Sequence, residues 1–215
     1  MRKIPFWIKA CFTGFVFLLA HSSCKYFTVA DLCSFSSLAV IATLAALWLE
    51  SSLLASMAAS AMLLDIVWSI DLAGQLLLGS QLLGLSSYLD DDSIPGLVRM
   101  LFLHHLWLPP FQLWLIYRLK YDTQAWAVQT MIGWCLLLGC DFLTDPQRNI
   151  NWVFGPGSPQ SSVPGELYLF ACLGAWSMGI FLPTHLVLMR VMKEQMRPAS
   201  TRRDTQQANL ATKEA

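Results

Sequence analysis

The sequence predicts an all-α, polytopic membrane protein: a transmembrane helix bundle of six spans with both termini cytoplasmic. Two observations carry that class. Six separate stretches are each apolar over roughly the 20 residues that a helix needs to cross a bilayer. Hydrophobic residues make up 55% of the chain and charged residues only 13%, with a mean hydropathy of +0.51, whereas about a quarter of a soluble domain is charged. Lys and Arg number 14 against 14 Asp and Glu, so there is no electrostatic basis for a nucleic-acid partner. The length of 215 residues suits one bundle without a separate soluble domain. No internal repeat is evident.

The spans read Ile4–Ser22, Val29–Leu49, Leu53–Ala73, Leu97–Tyr117, Gln124–Leu143 and Glu166–Val191. They make a transmembrane domain over residues 1–192, followed by a polar tail, 193–215, expected to be disordered and cytoplasmic. The first span, with Arg2 and Lys3 ahead of an apolar run, also has the form of a secretory signal peptide. An uncleaved helix with Lys9 snorkelling to the interface is the preferred reading. Only Glu50, Ser51 and Ser52 separate the second span from the third, so these two are antiparallel neighbours. Leu76–Leu85 is apolar but too short to cross, and is expected to lie at the outer interface or to dip in and return.

The fourth span contains Pro109 and Pro110. Neither can donate a backbone hydrogen bond, so the carbonyls of His105 and Leu106 lose their usual partners and a kink is expected there. The fifth span carries Asp141 near its end, with Asp145 just beyond it. Thr144–Gly165 (TDPQRNINWVFGPGSPQSSVPG) then forms a connection whose length and Gly-Pro turns predict a folded lid over the outer mouth. In the last span His185 is remote from the other histidines and reads as structural.

Basic residues set the orientation. Arg2, Lys3 and Lys9, then Arg118 and Lys120, then Arg190, Lys193, Arg197, Arg202, Arg203 and Lys213 all fall on one face if the spans alternate. That face is cytoplasmic. The other carries Asp90, Asp91, Asp92, Asp145 and Glu166. Cys11, Cys24, Cys33, Cys135, Cys140 and Cys172 lack the clustered spacing of a metal site and read as small hydrophobes.

This orientation gathers the polar intramembrane residues in the outer half of the bundle. Candidate catalytic residues are His104, His105, Asp65 and Asp141. Candidate substrate-binding residues are Asp71, Gln75, Asp145, Arg148, Asn149, Asn151 and Trp152. Histidine suits proton transfer near neutral pH, and an ionisable group inside a span needs a partner. Each also has a plainer role. Asp141 and Asp145 fit a solvated helix end, Asp71 and Gln75 a helix border, Asp65 a structural bond to a neighbouring helix, and Arg148 an ion pair with Asp145 or Asp141. On a regular helix His104 and His105 diverge by roughly 100°, so both are not expected to face one site. No metal and no cofactor are expected.

The run LAALWLESSLLASM (Leu44–Met57), the segment LWLPPFQLWLIYRLKY (Leu106–Tyr121) and above all the string TDPQRNINWVFGPG (Thr144–Gly157) resemble an uncharacterised family of bacterial multi-pass membrane proteins. That resemblance implies an intact first helix and a bacterial plasma (inner) membrane. It brings no activity. A fainter likeness to YwaF-type membrane proteins lies in the order of spans and the Asn- and Pro-rich loop before the last helix. It implies only kinship with some lipid-modifying enzymes that carry a histidine in a span.

With no GxSxG or HExxH motif, the sequence points first to an accessory or assembly protein with a polar outer-leaflet pocket. Its partners are membrane lipids and other membrane proteins. The alternatives are a membrane-embedded enzyme acting on a lipid or lipid-linked substrate through a histidine base, and a small transporter.

Overall fold

A computed structural model describes residues 3–80 and 82–193. The predicted tail beyond Lys193, with Arg197, Arg202, Arg203 and Lys213, lies outside the described residues, as does Arg2. The described chain is all-helical, without strands. Among the described residues, four helices are long and apolar enough to cross a membrane: Phe6–Tyr26, Ser52–Leu78, Ala125–Leu143 and Gly165–Val191. The second and fourth predicted spans are built differently, and both differences shape the site.

Helix α1 (Phe6–Tyr26) starts after Pro5, whose fixed φ suits a helix start. The second predicted span divides. Val29–Cys33 is a tight 3₁₀ turn, closed by the Asp31 carboxylate accepting from the Thr28 amide at 2.7 Å and its hydroxyl at 2.6 Å. Ser34 then caps α2 (Phe35–Leu49) by accepting from the Ser37 amide. Glu50, in the left-handed conformation (φ 49°), reverses the chain, and Ser51 caps α3 (Ser52–Ala59). Buried alanines at 39, 46, 55, 58 and 59 let α2 and α3 pack closely as antiparallel neighbours.

After a bend at Ser60 and Ala61 the same span continues as α4 (Met62–Leu78). It therefore runs past the predicted end at Ala73 and takes in the start of the Leu76–Leu85 segment. Gly79 (φ 66°) turns the chain, which doubles back on the helix end. The buried Asp71 carboxylate accepts from the amides of Leu83 (2.6 Å) and Ser86 (3.0 Å) and from the Ser86 hydroxyl (2.9 Å). Gln75 accepts from the same hydroxyl at 2.9 Å and donates to Asp90.

The fourth predicted span is broken, but not at its prolines. Helix α5 (Gly96–Phe102) ends at Leu103, whose ψ of 1° interrupts the helix, and α6 (His104–Leu119) runs through Pro109 and Pro110. The discontinuity therefore precedes the histidines. The His105 carbonyl, deprived of a backbone partner by Pro109, lies 3.4 Å from the Ser69 hydroxyl of α4. The Ser69 hydroxyl itself donates to the Asp65 carbonyl at 2.7 Å. Deeper in, Gln112 of α6 donates to Thr43 of α2 at 3.2 Å.

Helix α7 (Ala125–Leu143) packs on the last span, which is helix α8 (Gly165–Gly174), a π-helical stretch over Ala175–Phe181, and helix α9 (Leu182–Val191). Phe181 sits so close to Gly133 that a Cβ there would lie 2.9 Å from its ring. His185 contacts the Tyr121 hydroxyl at 2.6 Å, which fits its structural reading. Burial pushes that phenol up to about 12. Large apolar side chains such as Leu77, Phe142, Leu143 and Phe170 stay exposed around the bundle, as a lipid-facing surface demands.

One polar clasp holds α1 to the α2–α3 corner. The Glu50 carboxylate accepts from Lys9 Nζ at 2.8 Å and the Ile4 amide at 3.2 Å. The hydrogen bond from Lys9 holds the Glu50 carboxyl below its ordinary value of 4.5. A depressed carboxylate contributes stability that is present above its ordinary value and lost as pH falls through the folded one. The thermal midpoint in detergent is therefore expected to fall more for the wild type than for Glu50→Gln as the pH drops from ~6 to ~4. Parallel curves would show that the clasp does not hold α1.

Candidate functional site

Asp65 lies in the first turn of α4 and is 2% exposed. Its Oδ1 is 2.6 Å from Nδ1 of His105, in the first turn of α6. With Asp65 ionised, its carboxylate only accepts, which places the imidazole proton on Nδ1 and leaves Nε2 as the basic nitrogen. Trp68, one turn along from Asp65, packs its ring on His105 with centroids 4.5 Å apart. The second oxygen, Oδ2, is buried and makes no hydrogen bond within the described protein.

His104 is held differently. Its Nδ1 is 3.1 Å from the Leu101 carbonyl, which can only accept, so Nε2 is again the free nitrogen. That nitrogen lies 3.4 Å from the Ser36 hydroxyl of α2. The two histidine rings stack with centroids 4.2 Å apart. The expectation that they cannot serve one site is corrected here. They are the first two residues of α6, just past the break at Leu103, so no regular preceding turn fixes their directions. Each reaches a different helix, yet both line the same cavity.

That cavity, of about 450 Å³, has apolar walls from Val16, Leu19 and Ala20 of α1 and Val40 and Ile41 of α2. Polar side chains line it as well, Ser36, the two histidines, Asp31 and Arg148 among them. A second cavity of about 400 Å³ lies against Leu64, Asp65, Trp176 and Ile180. Ser36, Trp68, His105, Asn151 and Trp152 line both. Apolar walls combined with placed polar groups suit small or amphiphilic ligands. Tyr88 also lines the first cavity. Burial pushes its phenol above its ordinary value, so it stays protonated, able to donate a hydrogen bond.

The loop after α7 forms the predicted lid. Asn151 fastens it: Oδ1 accepts from the Phe35 amide at the start of α2 (3.0 Å), while Nδ2 donates to the Cys33 carbonyl (2.9 Å). Asn149 closes the loop on itself through the Gly155 carbonyl (2.7 Å) and the Phe154 amide (2.9 Å). From the far side the Tyr168 hydroxyl donates to the Trp152 carbonyl (3.0 Å) and Trp176 Nε1 to the Asn151 carbonyl (3.2 Å). Trp152 thus lines both cavities.

The sequence candidates separate accordingly. Asp65, His104, His105, Arg148, Asn149, Asn151 and Trp152 come together around the cavities. Asn149 and Asn151 spend their side chains on the lid. Asp71 and Gln75 line neither cavity and secure the segment after α4 instead. Asp141, half-buried, and Asp145, exposed, also stay outside; Asp145 accepts from the Gln147 amide at 2.9 Å. Arg148 stands 4.0 Å from Asp31, not paired with Asp145 or Asp141. Ser36, Asp31 and Trp68 were not singled out. The serine run 34–37 and the spacing of Trp68 from Asp65 were the only hints. Among the described residues no group of three or more His, Cys, Asp or Glu is placed to hold a metal ion.

No protein-family model matches the chain, and neither a curated protein nor a solved structure matches it.

Asn151 also sits at a positive φ of 55°, which costs a side chain other than Gly or Asn about 1–2 kcal/mol. Asn151→Ala adds that strain to the loss of the clamp, whereas Asn151→Gly loses the clamp alone. Hydrogen exchange over residues 149–155 is expected to rise at least ~10-fold in both, matching the ~1–3 kcal/mol of lost buried hydrogen bonding, and further in the alanine variant. Unchanged exchange would mean that the lid is held by packing and not by Asn151.

Proposed function

We propose that this chain is a membrane-embedded enzyme that carries out acid–base chemistry on an amphiphile, a lipid or lipid-linked molecule, in the outer half of the bilayer. His105 is the general base and Asp65 the carboxylate that orients it. The observation that carries this reading is the 2.6 Å contact between the two, buried in the bundle and bordering both cavities. A base held in one tautomer by a third group is the arrangement that proton abstraction requires. Arg148, half-exposed at the cavity lining with Asp31 as a loose partner, is placed to receive an anionic head group.

The proposed topology is six spans with both termini cytoplasmic. The 3₁₀ turn and α2 form the second span, and α5 with α6 the fourth. Arg118 and Lys120 then share the inner side with Lys3 and Lys9, in keeping with the positive-inside bias. The lid and the cavities fall on the outer side. The membrane is the bacterial inner membrane, as the resemblance of the TDPQRNINWVFGPG string implies.

The test is lipid turnover by the full chain in nanodiscs of bacterial lipid extract, followed by mass spectrometry. His105→Ala is expected to slow turnover ~10²–10⁴-fold, the usual contribution of a positioned base. Asp65→Asn keeps an acceptor of the same shape but no longer imposes one tautomer, and is expected to cost a similar factor. Wild-type protein that turns over none of the lipids, or variants as active as the wild type, would overturn the proposal.

A further inference from the structure

We infer that Ser36 is a nucleophile served by His104, and that the chain cleaves long-chain fatty acyl esters through an acyl-serine intermediate. This rests on the enzyme reading above and names its substrate class. Three serines stand at the start of α2, and two are spent locally. Ser34 accepts from the Ser37 amide at 3.1 Å and contacts the Ser37 hydroxyl at 2.9 Å, and Ser37 reaches back to the Asp31 carbonyl at 3.5 Å. Ser36 instead reaches across to α6, where His104 offers Nε2 at 3.4 Å. Nucleophile–base contacts are commonly this long before substrate arrives and tighten in the complex. The Leu101 carbonyl holds His104 in the tautomer that leaves Nε2 free.

The surroundings fit an acyl ester. Ser36 borders both cavities. It lies in the first turn of a 15-residue helix, whose dipole favours negative charge at that end, as on the oxyanion of acyl transfer. The first cavity is walled by apolar residues of α1 and α2, and one of these, Ile41, is 52% exposed at the outer surface of the bundle. The two helices are tied together at their opposite ends, through Glu50 with Lys9 and through Trp48 donating to Thr13 at 3.0 Å. Through Ile41 the cavity wall reaches the exposed surface beside α1, where a hydrocarbon chain would enter.

In the first step the Ser36 hydroxyl gives its proton to His104 Nε2 as Oγ bonds the acyl carbon. The bond from that carbon to the alcohol oxygen then breaks, and the leaving oxygen takes the proton from Nε2. In the second step a water molecule gives a proton to His105 Nε2 as its oxygen bonds the acyl carbon. The bond to Ser36 Oγ breaks and that proton returns to Oγ. The sum is ester plus water to fatty acid plus alcohol.

The experiment uses the full chain in nanodiscs and an alkyl fluorophosphonate with a long chain. Ser36 Oγ displaces fluoride from phosphorus, and peptide mass spectrometry locates the adduct. Wild-type protein is expected to be labelled at Ser36, and Ser36→Ala not at all. His104→Gln slows labelling ~10²–10⁴-fold, whereas Asp65→Asn and His105→Ala still label, because their step follows acylation. Ser36→Cys, which keeps a nucleophile in place, controls for folding by forming a thioester with an activated acyl ester. A short-chain fluorophosphonate labels at least ~10-fold more slowly than the long-chain one, having lost the apolar burial of its tail. An adduct at Ser34 or Ser37, or none, would overturn the assignment. So would lipid turnover by Ser36→Ala equal to wild type. If His105→Ala then remains inactive, the acid–base reading stands and only the serine step fails; if it too is active, both fall.

Discussion

The contact between Asp65 and His105 is the constraint around which this bundle is arranged. A carboxylate 2% exposed inside an apolar helix bundle cannot be left alone, because desolvating it without a partner costs several kcal/mol. The imidazole supplies that partner. To reach it, α6 must begin beside the first turn of α4, and the break at Leu103 allows this by setting His104 and His105 at the head of a new helix. Ser69, one turn after Asp65, donates to the Asp65 carbonyl at 2.7 Å and lies 3.4 Å from the carbonyl that Pro109 strands. A pair needed for charge thus also fixes where two helices meet.

The same constraint explains why the neighbourhood is cavity and not core. One apolar cluster contains Leu108 of α6 with Val40 and Leu47 of α2, and the other Phe35 of α2 with Leu137 of α7 and Phe181. Ser36 and the histidines sit at the seam, where neither cluster supplies enough bulk to close the space. The lid covers the seam without filling it. Asn151 joins it to the start of α2 through backbone groups, and so leaves side chains such as Ser36 free to face inward.

Much of this was legible in the sequence where a single local rule applies. Asp65 and the histidines stood out because charge in a span is expensive, the lid because a long loop with Trp and Phe must fold, and the stranded His105 carbonyl because proline cannot donate. Other features depend on encounters between distant segments. Nothing in the run Leu32–Ser37 distinguishes Ser36 from Ser34 and Ser37 until α6 is placed against it. Asp31 meets Arg148 only once the lid is down. Asp71 and Gln75 look like outer-half site residues until the chain after Gly79 returns to take up their hydrogen bonds. The break at Leu103 has no glycine or proline of its own; it follows from packing α5 and α6 against different neighbours.

The two adjacent histidines differ in what stands behind them, and in the proposed reaction this divides their work. Leu101 presents His104 with a neutral carbonyl, which fixes the ring and lends it a dipole. Asp65 presents His105 with a carboxyl group, which fixes the ring and supplies a counter-charge when a proton arrives. In that reaction a proton on His104 would be held only briefly, as suits a base that returns it to a leaving group within the same step. A proton on His105 is compensated at 2.6 Å and can be held while water is brought to the reacting carbon. With the rings stacked at 4.2 Å, two protons at once would repel one another. In the proposed reaction one ring at a time carries the proton, which keeps the two steps in order.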